Sequence, residues 1–524
     1  MHHNATPSHI ARRGGVLARL LIAIAIVLLL AVILASVEVL AAVKAAPRVT
    51  TNYGQRTHDR ILERQRALHG AGPNQWPRFA EILDKVEEGR NHLDRQNEAY
   101  RSAANDPFPV IDFYIIRGPY DDPAAYGMAD YYARARQRGV DVFNHWRDIG
   151  VFDASADLPG LHRVVMPADP APGVESPIEE LSLSRSLARA LAARMRLAAE
   201  SGDTAQRLSA LEEGAALARI MAGSGTMLGW LTSYAVEPLA VVSFLDDAFL
   251  YPLDDATLAA ADAAIERELI DHFPTLADIM ANERDAALDH VQRVYTARGR
   301  FIPLAHARLS YTYDINQAPD ELLPFGDSRL SNLHARMFID RDAATAWINE
   351  AYDLADAAAT ATGADAAAAD TALAANYSAP TWRNPARDIG LKPTQTIQIA
   401  RRRAIQVAGW RVMLAIERYR LAHDGAPPQT LADLGDLLPN HLRVDPFTGQ
   451  PWHYEPTPPP PATAGWNNQP LGDHQTTWPY TLASRPLPGF ETATPPFPNH
   501  PNTGVRITSP IELPMDRRPE HDSP

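Results

Sequence analysis

Glu283, Asp285, Asp289 and His290 are the residues whose types and spacing come nearest to a reactive group. On one helix they share parts of a surface, where carboxylate and imidazole can exchange a proton or help hold a cation. Arg284 and Arg293 lie in the same stretch, so a solvated ion-pair face accounts for the same residues. No His-Glu-x-x-His zinc-helix spacing accompanies them.

Ala222-Gly223-Ser224-Gly225 has a serine between glycines but lacks the full Gly-x-Ser-x-Gly spacing. The residues before it, Leu208–Met221, read as helix rather than strand, so a hinge between helices is expected. The acidic pairs Asp121-Asp122, Asp246-Asp247 and Asp254-Asp255 could serve as glycosidase carboxylates, but they stand at expected turns or helix starts, where capping explains them. The 18 histidines are scattered. Trp452, Trp466 and Trp478 suit stacking on a sugar or peptide as well as packing a small sheet. Neither a phosphate-binding glycine loop nor a dinucleotide fingerprint is present. The sequence therefore assigns no catalytic, cofactor-binding or metal-ligating residue, and no cofactor is expected.

Composition narrows the classes further. With 49 Lys+Arg against 63 Asp+Glu, the chain carries a net charge of −14, the wrong sign for binding a phosphate backbone, so nucleic acid is not an expected partner. Cysteine is absent. Disulfides, thiolate metal sites and cysteine nucleophiles are thereby excluded.

The elements that must position any site begin with an anchor. Arg12, Arg13 and Arg19 precede an uncharged apolar run from Leu20 to Val37, and apolar character resumes after Glu38 as far as Val43. This is long enough to cross a hydrocarbon layer of about 30 Å as a helix. The arginines place residues 1–19 in the cytoplasm and the bulk of the chain outside it. A cleaved signal peptide is the rival reading, with a poor cleavage site at Val43-Lys44-Ala45, and it exports the same residues. The expected partners are the lipid bilayer, through residues 20–43, and another envelope protein.

Residues 45–393 read as an extracytoplasmic helical domain, an irregular bundle or solenoid. One helix is expected over Thr57–Asn105, a strand over Val110–Ile116, a helix over Pro123–Arg138 and a loop over 151–175. Ser176-Pro177-Ile178-Glu179 has capping-box spacing, and Leu183, Leu187, Leu191 and Met195 form a stripe behind it. Ser201-Gly202-Asp203 breaks that helix before a second stripe at Leu208, Leu211, Ala215 and Ala218. The apolar segment Met227–Phe249 contains Glu237, Asp246 and Asp247, which argue against a second membrane span. Further helices are expected from Asp254 or Asp255 to Ile270, over Leu276–Arg298 and over Arg341–Thr362. The alanine-rich stretch Ala351–Ala375 reads as a helix with a weak point at Gly363 or as a loop.

A C-terminal module is expected over 394–515, followed by a disordered tail at 516–524. Its helix runs from Thr394 to about His423, and half of the 44 prolines follow it. The string Ile416-Glu-Arg-Tyr419, Asp424-Gly425, Pro427-Pro428, Leu431-Ala-Asp-Leu434, Asp445-Pro446-Phe447-Thr-Gly449 and Trp452-His-Tyr454 resembles the C-terminal half of the major pseudopilins of type II secretion. The same string behind helical hairpins also resembles a group of bacterial membrane-anchored helical proteins of no assigned activity. The resemblance implies a small α+β module with Pro-rich loops. It does not carry over filament assembly, because Gly15 is followed by Val16 and the fifth position after the glycine is Leu20 rather than Glu.

The fold class expected is thus mainly α, with an N-terminal transmembrane helix, a helical bundle or solenoid and a small C-terminal α+β module. The expected function is a non-enzymatic interaction or scaffolding role at the bacterial inner membrane, the bulk of the chain lying in the periplasm. An envelope hydrolase with a dispersed acid–base site and a pseudopilin-like secretion component are the alternatives.

Overall fold

The computed structural model describes residue 29 and residues 50–103, 113, 129–165, 178–295, 299, 301, 339–378, 393–456, 480–483 and 505–506. The protein is mainly helical, with twelve α-helices among these residues. The expected anchor at 20–43 lies outside them apart from Leu29, as do Asp121-Asp122, Ser176, Trp466, Trp478 and, apart from Phe113, the expected strand over Val110–Ile116.

The chain forms two compact units. One comprises 1–52, 287–348 and 380–389, and the other 53–286, 349–379 and 390–524. In the first unit, Gln292 receives the backbone N–H groups of Thr50 and Thr51 and donates to the Thr51 carbonyl at 2.7 Å. Tyr295 there bridges to Phe301, ring against ring.

The second unit begins with α1 (Tyr53–His69) and α2 (Trp76–Ala103), where one helix was expected over Thr57–Asn105. The break has a local cause. Gly70 takes φ 73°, a left-handed conformation only glycine adopts freely, and its N–H bonds back to the Arg66 carbonyl. Asn74 then caps the new helix by accepting from the Trp76 N–H at 3.0 Å. Helix α3 (Ala129–Asp148) stops at Gly150, φ 76°. Residues 151–175 are not all loop: α4 (Val151–Ser155) and a 3-10 turn, Leu158–Gly160, occupy the start. Val151, Phe152, Ala154 and Leu158 are buried, and that apolar content outweighs the turn-forming prolines and glycines around them.

Three mutually packed helices follow: α5 (Ile178–Ser201), α6 (Thr204–Gly223) and α7 (Met227–Leu250). The expected stripe Leu183, Leu187, Leu191 and Met195 is buried. Asp203 caps α6 by accepting from the Gln206 N–H at 2.9 Å. Helix α6 is buried on nearly all sides from Ala210 to Ala222, as an apolar helix at the centre of a bundle must be. It approaches α7 closely, for a Cβ built on Gly214 would stand 2.6 Å from that of Ala240. Ser224-Gly225 is the expected hinge, Gly225 having φ 75°. Among the described residues, Met227–Ala248 in α7 is the one stretch apolar and long enough to span a membrane, but it packs against α5 and α6, and its Glu237 is buried in an ion pair with Arg403.

Asp254 caps α8 (Asp255–Glu266) as expected, accepting from the Thr257 N–H at 2.7 Å. Asp255 instead pairs with Arg418 and Asp247 with Arg196. A π-turn, Arg267–Asp271, extends α8. Helix α9 spans Leu276–Val294 and α10 Arg341–Thr360. The alanine-rich stretch continues as helix, interrupted before Gly363, where α11 (Gly363–Ser378) begins.

Helix α12 (Pro393–Ala422) buries Ile405, Ala408, Val412 and Ile416 and packs on α8. Left-handed Asp424 and Gly425 end it, with the Gly425 N–H bonded to the Arg420 carbonyl at 2.8 Å. In the turn that follows, Asp445 Oδ1 accepts from the N–H groups of Phe447 and Thr448, and Gly449 takes φ 67°. Trp452 is buried and its indole donates to the Leu442 carbonyl at 2.9 Å. Strands β1 (His453–Glu455), β2 (Thr481–Ala483) and β3 (Val505–Arg506) form a sheet in that order, antiparallel between β1 and β2 and parallel between β2 and β3.

Candidate metal centre

The four residues that led the sequence analysis all stand on α9, yet each carboxylate is committed to a different partner. Asp285 is fully buried and clamped by two guanidinium groups of α1: Arg56 Nε donates to Oδ2 at 2.9 Å and Arg60 NH2 to the same oxygen at 2.7 Å. Glu283 accepts the Met227 N–H at 2.8 Å and so caps the start of α7, while burial pushes its carboxyl above the ordinary range. Asp289 holds Gln292 and Arg293 on its own helix, at 2.7 and 2.6 Å. His290 is part-buried. The carboxylates serve as helix clamps and caps.

Three histidines from separate parts of the chain do converge. His69 is the last residue of α1. His162 follows the 3-10 turn Leu158–Gly160, in the stretch Leu161–Val165 that borders α1. His272 follows the π-turn and closes it, its N–H bonded to the Arg267 carbonyl at 3.1 Å. One ring nitrogen from each lies within 4.8 Å of the other two. The rings of His69 and His162 stack at 5.0 Å, and that of His272 stands edge-on to both, at 4.8 and 5.6 Å.

Hydrogen bonds beside each histidine fix the three backbones to one another. Gln65 donates to the Val164 carbonyl at 2.8 Å, Arg64 to the Phe273 carbonyl at 2.9 Å, and Arg219 to the Leu161 carbonyl at 3.0 Å. Nearby cations are held in pairs. Arg219 meets Glu268 at 2.6 Å in a fully buried bridge, Arg267 meets the same carboxylate at 2.8 Å, and Arg64 meets Asp278 at 3.0 Å.

Burial chiefly, then His272, His162 and the Arg219 and Arg64 guanidiniums, push His69 down to about 4. His162 is lowered too, by burial first and then Arg219, against the upward pull of Glu268. Both imidazoles are therefore neutral near pH 7, the state in which a ring nitrogen offers a lone pair. The Nδ1 atoms of His162 and His272 are buried and have no hydrogen-bond partner. All three side chains keep part of their surface open to solvent. Spacing along the chain gives no hint of this group, because its members come from three elements far apart in sequence.

No protein-family model, curated protein or solved structure matches this chain.

Proposed function

We propose that this chain is a single-pass, membrane-anchored protein of the bacterial envelope whose helical body serves an interaction or scaffolding role in the periplasm. The supporting observation is the fate of its buried acids. Asp285, Glu213, Glu268 and Glu237 are each engaged by arginine, and the half-buried Glu283 by a helix N-terminus. A general acid or base needs a carboxyl facing a substrate. These carboxylates instead fasten one helix to another, which is what a rigid platform for a partner requires. Residues 20–43 supply the anchor in this reading, with Arg12, Arg13 and Arg19 on the cytoplasmic side. The region from 394 onward is a pseudopilin-like α+β module, a reading supported by the Asp445–Gly449 turn and the buried Trp452 beside the three-stranded sheet.

Alkaline phosphatase fused after residue 52 tests the anchor. The fusion is expected to be active and membrane-bound, and removal of residues 20–43 should abolish both properties. An inactive fusion, or one unaffected by that deletion, overturns the reading.

A further inference from the structure

We propose that His69, His162 and His272 form a binding site for one divalent transition-metal ion of the zinc class, held by three imidazole nitrogens and completed by water. Buried polar atoms in folded proteins are hydrogen-bonded with few exceptions, and each exception calls for an explanation. Here two occur in one cluster: the Nδ1 atoms of His162 and His272 are buried without a partner, and one ring nitrogen of each of these residues lies within 4.8 Å of one from His69. Packing alone gives no reason to gather three imidazoles and leave their polar atoms unanswered. A metal ion gives three gathered imidazoles a common partner.

The geometry is within reach of coordination. Nitrogens bound at about 2.0–2.1 Å around a tetrahedral ion lie roughly 3.3 Å apart. The donors here lie within 4.8 Å of one another, so rotation of part-exposed rings by about 1 Å closes the set. The backbone need not move, because Gln65, Arg64 and Arg219 already tie the three segments together.

The donor chemistry narrows the ion to the transition metals. The chain has no thiolate to offer, and the adjacent carboxylate, Glu268, is spent on Arg219 and Arg267. A set of imidazoles alone suits zinc, copper, nickel or cobalt and is a poor site for magnesium or calcium, which take oxygen ligands. Three histidines with an open fourth position form a zinc site that retains a bound water. Arg219, Arg267 and Arg64 are the cations facing the cluster, and their pairing with Glu268, Glu212 and Asp278 limits their repulsion of the ion.

The test uses the full chain in detergent, stripped with a chelator and dialysed, then titrated with zinc chloride by calorimetry and with cobalt chloride by visible absorption. One zinc per chain is expected, along with the intense d–d bands of four-coordinate cobalt. His162→Gln and His272→Gln are each expected to weaken zinc at least 10-fold and to abolish those bands, with helical circular dichroism unchanged. His92→Gln, in the separate stacked pair with His145, should change neither. A measurement on the unaltered chain covers the case in which a variant fails to fold. Saturating zinc should protect His69, His162 and His272 from diethylpyrocarbonate, mapped by mass spectrometry, while His453 still reacts. Failure to bind zinc, binding unchanged in the glutamine variants, or equal modification with and without zinc overturns the proposal.

Discussion

Helix α6 and the three-histidine cluster both set polar groups against the core, and they meet the cost in opposite ways. In α6, Arg207, Glu213 and Arg219 are all buried. Glu213 accepts from Arg194, Ser155 and Ser209, Arg219 bridges to Glu268, and Arg207 donates to the Tyr251 carbonyl at 2.9 Å. Each of these side chains meets at least one group folded into place with it, although Arg207 Nε and one terminal nitrogen of Arg219 are themselves buried without a hydrogen bond. In the histidine cluster one ring nitrogen from each member lies within 4.8 Å of the others, and the Nδ1 atoms of His162 and His272 are buried without a hydrogen-bond partner. Burial by itself therefore says little about function. What sets the histidine group apart is that three ligand-type nitrogens gather at one place, rather than that single atoms lack a partner.

The contrast can be broken at its strongest point. Glu268→Ala leaves Arg219 charged, buried and without its carboxylate, and it is expected to lower stability by about 3–5 kcal/mol in urea unfolding. A loss below about 1 kcal/mol would show that the α6 pairs are incidental. Next in size is the apolar side of the same helix. Gly214→Val forces a branched side chain against Ala240, and about 1–3 kcal/mol of destabilisation is expected from the shift in unfolding midpoint. A neutral result would mean that α6 and α7 part easily and that the centre of the bundle is not close-packed.

The smallest effect concerns Glu283, which sits between the two extremes with one amide donor and a half-buried carboxyl. Its folded pKa is raised above the ordinary 4.5, so the folded chain holds the proton longer than the unfolded one. Its contribution is full below the ordinary value and is lost as pH rises through the raised one. Glu283→Gln keeps an acceptor for Met227 and removes the titration, so it should remove a downward slope of at most about 1.4 kcal/mol per pH unit. Urea midpoints for both chains from pH 4 upward check the sign. Identical slopes would place the carboxyl in water.

The legible part of the molecule is the part governed by near neighbours in sequence. The stripe Leu183–Met195 announces a buried helix face, Asp203 and Asp254 announce caps, and Gly225 announces a hinge, because each signal and its consequence lie within a turn or two. The division between α1 and α2 is written locally in Gly70, Gly72, Pro73 and Asn74, breaker and capping residues that the expectation of one helix over Thr57–Asn105 passes over. Glu283, Asp285, Asp289 and His290 were conspicuous for a similar reason, being close in sequence. The partners of Glu283 and Asp285, namely Met227, Arg56 and Arg60, come from distant elements, whereas Asp289 pairs with Gln292 and Arg293 on its own helix. The histidine group depends wholly on such long-range meetings, so no local pattern could have pointed to it.

His272 owes its direction to a count rather than to a chemical type. Successive residues of an α-helix advance by about 100° around the axis. The wider π-turn at Arg267–Asp271 accommodates one residue more than an α-turn, which resets the phase of whatever follows. Deleting any one residue of that turn would leave every histidine in the protein and still swing this one roughly a quarter of the way around the helix, away from His69 and His162. The cluster is thus open to loss or gain through a single-codon change in length, with no substitution among its members.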